Sequence, residues 1–335
     1  MKQLSQETFP RSDAFERGHL PTFIGIGSMR CGSTWLYQVL KCHPDVQLAE
    51  CKELDFFFMR KMLRYDLRWY EAQFEPAIGA APKPVRGEIS PLYARLKQWQ
   101  VNRIASLLPD VRIILTLRHP IERVWSQALY EFGHRSHRDV RRVGPAEFLR
   151  QVERPRSQLS SDYHRTIKIW SNAFGREALH INFFEELRDN PDSYLNGVLE
   201  HIGASIPWAP PETLRKKKVW ATNSLVAHER DIPEIVRWYI AGRLLEPTER
   251  LNELLEGRVS AWVEEMRDIR GKTRLSWQIL GELNRLLLSI PERSAYEVFH
   301  ALLDTRLWLR WRHFEKLHGA RENLAGDDLQ PHSSY

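Results

Sequence analysis

The sequence predicts an α/β protein: a P-loop-like parallel sheet flanked by helices, followed by a helical C-terminal region. Three observations predict it. Short apolar runs alternate with helical patterns through about the first two hundred residues. A loop bounded by glycines, from Gly27 to Gly32, joins the first such run to the first helical pattern. Strand-like runs stop near Pro211, beyond which Leu, Glu and Arg recur with helical periodicity.

Each element follows from local pattern. The run FIGIG at residues 23–27 is apolar and ends in glycine, and residues 33–41 after it set Trp35, Leu36, Val39 and Leu40 on one helical face. Residues 85–88 give a second strand and 96–108 a helix. RIILTL, at 112–117, is the strongest strand signal in the chain, and a helix over 121–132 follows it. A fourth pair comprises a strand at 179–183 and a helix at 192–203. Strands alternating with helices of this length imply crossover connections and a sheet covered on both faces. The expected organisation is an α/β core over 20–210, a helical region over 211–319 packed on it, and a loose polar tail over 320–335.

Composition narrows the function. A chain of 335 residues fits one large domain or a domain with an appendage. Its 42% hydrophobic and 27% charged residues exclude wholesale disorder. Forty-nine Lys and Arg against 43 Asp and Glu leave +6, which favours an anionic ligand but is too small a field to predict a nucleic-acid partner. Three cysteines, an odd count without a C-x-x-C pair, indicate neither a disulfide framework nor a zinc site, and no metal is expected. The first twenty residues are polar and no apolar run approaches the roughly 20 that a transmembrane helix needs, so the expectation is a cytoplasmic protein.

The most informative segment is Gly27-Ser28-Met29-Arg30-Cys31-Gly32-Ser33-Thr34. Its spacing matches the phosphate loop G-x-x-x-x-G-K-S/T except that Ser33 replaces the lysine. Glycines at both ends let successive N–H groups turn inward on an anion, and the helix starting near Gly32 adds its positive end. A bare glycine turn is the plainer alternative, but the strand–loop–helix context favours the anion site. Nucleotide kinases need the missing lysine and an acidic residue that helps hold magnesium, whereas RIILTL runs into Arg118. The loop carries its cation at Arg30 instead, which suits an anion bound without a metal.

A second candidate follows RIILTL directly. Arg118 falls at the carboxyl end of a strand, where open parallel sheets bind ligands. Pro120 suits the first turn of a helix, and Arg123 and Ser126 share a face three residues apart. Arg118 and Ser126 can grip one phosphate through guanidinium and hydroxyl, unless the segment is simply a helix start with a solvated arginine face.

With both segments in view, the chain resembles the sulfotransferases that use 3′-phosphoadenosine-5′-phosphosulfate (PAPS). IGIGSMRCGSTWLYQVLKCHPDV is similar to that family's 5′-phosphosulfate loop, and LRHPIERVWSQALYEF to its 3′-phosphate motif, in which an arginine and a serine eight residues later bind the ribose phosphate. Lys52-Glu53-Leu54-Asp55-Phe56-Phe57 resembles the KE-x-x-FF segment of the carbohydrate, heparan-sulfate-type branch, and Gly87-Glu88-Ile89-Ser90-Pro91-Leu92-Tyr93 its GE-x-S/T-P-x-Y segment. The likeness spans residues 22–132 and runs more loosely to 204.

The resemblance implies PAPS as co-substrate and in-line transfer of a sulfuryl group to a hydroxyl or amine of an acceptor, a sugar or glycoconjugate by its branch. Arg30 is then the cation that stabilises the departing phosphate oxygen. Cys31, Gly32, Ser33 and Thr34 bind the 5′-phosphate and sulfuryl oxygens. Arg118 and Ser126 hold the 3′-phosphate, with Arg123 supporting them or pairing locally. Glu53 is the general base, with Lys52 orienting it or holding an acceptor anion, unless it forms only a surface salt bridge to Lys52 or Arg60, and Glu88 and His43 are its rivals. Arg215-Lys216-Lys217-Lys218 stands where a basic loop closes over the 3′-phosphate, which gives Lys217 as a cofactor ligand, although a solvated charge run is a near-equal reading. An aromatic stripe over 301–319 fits a core helix or a peripheral membrane contact. Two other classes stay open: a degenerate P-loop kinase using Mg·ATP, and a non-catalytic protein that binds PAP or another anion.

Overall fold

Runs of β-branched and aromatic residues set the order of the strands, and glycine and proline mark where the chain turns. The structure, a computed structural model, describes residues 19–62, 64–76, 78–215 and 231–272. Strand β1 (Phe23–Gly27) leads through the glycine loop into helix α1 (Ser33–Lys41), and β2 (Val46–Leu48) follows. Two short helices, α2 (Met59–Met62) and α3 (Leu67–Ala72), precede β3 (Val85–Ile89). Then come α4 (Gln98–Leu107), β4 (Arg112–Leu117) and α5 (Pro120–Leu129). Helices α6 (Pro145–Glu153), α7 (Pro155–Leu159) and α8 (Tyr163–Phe174) lie between α5 and β5 (Leu179–Phe183). After β5 the described chain is helical: α9 (Phe184–Asp189), α10 (Pro191–Ile202), α11 (Glu212–Arg215), α12 (Glu234–Leu254) and α13 (Ser260–Gly271).

The five strands form one parallel sheet in the order β2-β3-β1-β4-β5. From β1 the chain builds first to one side and then to the other, so β1 is the switch point, the place where open parallel sheets bind ligands at their carboxyl end. Side-chain alternation assigns the two faces. Ile24, Ile26, Ile113, Leu115 and Leu117 enter a core with α4 and α8, while Phe23 and Ile114 enter the opposite core with α1 and α10. A third apolar cluster joins α5 and α6 to α12 and α13 through Val124, Trp125, Phe148, Tyr239, Ile240 and Met266. The C-terminal helices therefore pack on the helix that begins at the second motif.

Four predicted strands and the helices paired with them are present. The pattern missed β2, which has only three residues, and left 145–174 unassigned, where Pro145 and Pro155 break the periodicity into short helices. The helix after β4 begins at Pro120, and past Leu129 its turns widen into a π-helical segment, Tyr130–Arg135. Lys217, most of the basic run it belongs to, the stripe over 301–319 and the tail lie outside the described residues. Among the described residues no helix is long and apolar enough to cross a membrane.

Candidate functional site

The glycine loop is fixed before any ligand is considered. Gly27 has φ +134°, and a Cβ there would stand 2.8 Å from the Pro91 carbonyl, so only glycine fits. Ser28 is fully buried; its N–H donates to the Thr116 carbonyl at 2.8 Å and its Oγ to the Ser160 carbonyl at 2.7 Å. These bonds pin the loop to β4 and to the turn between α7 and α8. Arg30 (φ +66°) and Gly32 (φ +86°) then bend the chain into α1, whose start no side chain caps. The first N–H groups of a helix lack partners within it, and here the half-buried Ser33 and the exposed Thr34 stand at that end. Cys31 is buried, and burial pushes its thiol up to about 11, which closes it to thiolate chemistry at neutral pH.

Two arginines and a serine lace this loop to the second motif. Arg30 Nε donates to Ser126 Oγ at 3.1 Å, and the guanidinium lies over the Tyr130 ring, 4.9 Å from its centroid. Arg118 donates to the Arg30 carbonyl at 3.2 Å and rests on the Phe184 ring at 4.4 Å. The Tyr163 hydroxyl donates to the Arg118 carbonyl at 2.9 Å, and the Glu122 carboxylate stands 3.9 Å from the Arg118 guanidinium. Burial, and then the charge of Arg118, push the pKa of Arg30 below its usual value. Two cations thus meet beside an uncapped helix start, with Glu122 3.9 Å from one of them. That donor set fits a ligand carrying several negative charges, as the two phosphate-bearing ends of PAPS do.

Arg123 departs from the expectation that it binds the cofactor. It is 0% exposed, and its guanidinium donates to Ser161 Oγ at 2.9 and 2.6 Å, Gln127 Oε1 at 2.7 Å and the Ser157 carbonyl at 3.0 Å. These bonds point it into the fold, where it ties α5 to the α7–α8 turn. Local pairing, the alternative for this residue, is what the structure contains.

At the carboxyl end of β3, the strand beside β1, lies an acidic wall. The Glu53 N–H donates to the Ile89 carbonyl at 3.1 Å, which hangs Glu53 from the carboxyl end of β3, next to β1. Its carboxylate pairs with Lys52; the side chains are 45% and 18% exposed. The rivals of Glu53 are occupied. Glu88 is buried and accepts from the hydroxyls of Tyr70, Ser90 and Tyr93 at 2.6, 2.5 and 3.1 Å. His43 is buried against Trp208, with Nε2 3.1 Å from the Ser205 carbonyl and Nδ1 accepting from the Asp45 N–H at 3.1 Å.

Four residues of this region escaped sequence reasoning. Ser28 and Tyr163 hold the loop and Arg118 through contacts more than forty residues apart in the chain, and Tyr130 meets Arg30 only once the sheet is assembled. The fourth, Asp55, lies two residues beyond Glu53, and its N–H donates to Ser90 Oγ at 3.1 Å. Its one signal in the sequence is its place inside the KE-x-x-FF segment.

Comparison with known proteins gives the following. The model of the sulfotransferase family matches residues 90–210. The membrane-associated sulfotransferase kil1 of Dictyostelium discoideum is 32% identical over 114 residues, covering 34% of this chain and 23% of that protein. The bifunctional heparan sulfate N-deacetylase/N-sulfotransferase 4 of Mus musculus is 26% identical over 201 residues, covering 56% of this chain and 23% of that protein. The chain thus spans about a quarter of the length of these relatives. The crystal structure of a sulfotransferase from Alicyclobacillus acidocaldarius superposes with a TM-score of 0.55 at 23% identity, covering 72% of this chain and 98% of that one, so the two share a fold.

Proposed function

We propose that this chain, whose residues 90–210 match the model of the sulfotransferase family, moves the sulfuryl group of PAPS to a hydroxyl or amine of an acceptor, and that the acceptor is a sugar or glycoconjugate. One observation carries the reading: Arg118 donates to the Arg30 carbonyl in the loop that opens the uncapped start of α1, so two guanidiniums meet beside that helix end.

The residues divide the work. The N–H groups opening α1, with Ser33 and Thr34, bind the 5′-phosphate and sulfuryl oxygens. Arg30 lies at the loop position where charge grows on the leaving phosphate oxygen, and Ser126 and Tyr130 hold it there, so little reorganisation is needed during transfer. Arg118 and Ser126 face the 3′-phosphate. Glu53, oriented by Lys52, takes the acceptor's proton as the acceptor atom bonds to sulfur. The heparan sulfate relative and the resemblance in residues 52–57 support the sugar-type acceptor.

Calorimetric titration with PAP, run beside Mg·ATP, tests the reading. Binding of PAP that falls at least about a hundredfold in Arg118→Ala is expected, because a hydrogen bond to a charged group contributes about 1.5–3 kcal/mol and a guanidinium makes more than one. Binding of Mg·ATP with indifference to PAP would overturn it in favour of the degenerate kinase. Binding of PAP without turnover of PAPS on any sugar acceptor would support the non-catalytic class.

A further inference from the structure

The C-terminal helices carry no motif, yet they reach the residue next to Arg118. Val236, Tyr239 and Ile240 of α12 and Met266 of α13 are buried in the third apolar cluster, which fixes both helices on α5. That packing sets Trp262 of α13 edge-on to the His119 ring, 5.7 Å between centroids, and Glu265 Oε2 3.5 Å from His119 Nε2. Arg237, in the first turn of α12, donates to Glu265 Oε1 at 2.6 Å, and its guanidinium stands 3.9 Å from Glu122 Oε1. The other oxygen of Glu122 is 3.9 Å from the Arg118 guanidinium. Charges therefore alternate from the second motif into the C-terminal helices, in the order Arg118, Glu122, Arg237, Glu265. Arg188 of α9 also feels the Glu122 charge, but it is paired with Asp189 at 2.7 Å.

Glu122 has two opposed effects. In the first turn of α5 its charge suits the positive end of the helix. Four residues after Arg118, it also competes with a phosphate for that guanidinium and repels it. We propose that Arg237 is a positioning residue for the 3′-phosphate site, holding Glu122 back so that Arg118 stays open to the ligand. This rests on the sulfotransferase reading. With Arg237 in place the carboxylate is shared at 3.9 Å from each arginine, well beyond the roughly 2.7–2.9 Å of a closed charge-assisted hydrogen bond. The phosphate can then take Arg118 while Arg237 keeps Glu122. Without Arg237 the carboxylate keeps Arg118 as its cation and closes on it, and the phosphate must break that pair before it binds. Glu265 holds Arg237 from the far side, so the docking of α12 and α13 sets how open the site is.

A double-mutant cycle read by calorimetry with PAP tests this on the full chain. Arg237→Ala should weaken PAP about three- to fivefold, the size of an exposed ion pair, and Glu122→Gln should strengthen it about two- to threefold. In the Glu122→Gln background, Arg237→Ala should cost less than about 1.5-fold, because no acid is left there to hold back. Arg237→Lys keeps the charge and should bind within about twofold of the wild type. A mere loss of helix docking would weaken PAP equally with and without Glu122, so an equal loss in both backgrounds overturns the proposal. A loss in Arg237→Lys as large as in Arg237→Ala overturns it too. PAP binding that ignores Glu122→Gln overturns this proposal alone, whereas a wild type that does not bind PAP overturns the sulfotransferase reading and the proposal with it.

Discussion

The cationic and acidic walls at the carboxyl end of the sheet are built by opposite means. The cationic wall rests on regular structure: β1, β4 and the starts of α1 and α5 place Arg30 and Arg118, and Ser126, Tyr163 and two aromatic rings hold them. The acidic wall rests on irregular chain, with Glu53 and Asp55 in left-handed backbone and a buried Asp55 oxygen that accepts no hydrogen bond among the described residues. An anion site gains from donors frozen in advance, whereas burying a carboxyl among other acids raises its proton affinity at some expense of stability.

Within the cationic wall the sharpest contrast is between Arg118 and Arg123, five residues apart in the chain. Arg123→Ala should cost about 3 kcal/mol of unfolding free energy, read as a lower urea midpoint, because it opens a cavity and strips Ser161, Gln127 and the Ser157 carbonyl of a buried donor. PAP affinity of the folded variant should stay within about threefold. Arg118→Ala should reverse the pattern, with PAP affinity lost as above and the urea midpoint nearly unchanged. If affinity and stability fell together in both variants, the division between a gripping and a bracing arginine would be wrong. Ser126→Ala should be milder, about three- to tenfold in PAP affinity, since it frees Arg30 Nε and removes one hydroxyl but leaves both guanidiniums in place.

The same division governs what could be read from the chain. β1, β4, β5 and α1 were legible because apolar runs ending at glycine or a helix start specify local structure. Arg118 was legible because it stands at the carboxyl end of such a strand. Arg123 was not: its role depends on Ser157 and Ser161, more than thirty residues away in a segment whose prolines hide the helical period. Asp55 left still less trace. Left-handed backbone in a non-glycine residue and a buried unpartnered oxygen are tertiary properties, fixed by Ile89, Ser90 and Glu88, and residue type alone does not report them. The C-terminal helices share this difficulty, since they pack on α5 and carry no motif.

The smallest effect bears most directly on the acidic wall. An aspartate held near pH 7 in the folded chain and near the ordinary carboxylate value when unfolded binds more protons folded than unfolded between those two values. Stability must therefore fall as pH rises through that window, and the full penalty is present above about pH 7. Asp55→Asn keeps the shape and removes the ionisation. Its melting temperature should exceed the wild type's by a few degrees at pH 8, and the gain should shrink to nothing near pH 4, where Asp55 is already neutral in the fold. A gain of equal size at both pH values would mean that amide packing, and not charge, is responsible, and the acidic wall would then be no more strained than the cationic one. A gain confined to high pH would mark Asp55 as a charged group that the fold keeps at the expense of its own stability.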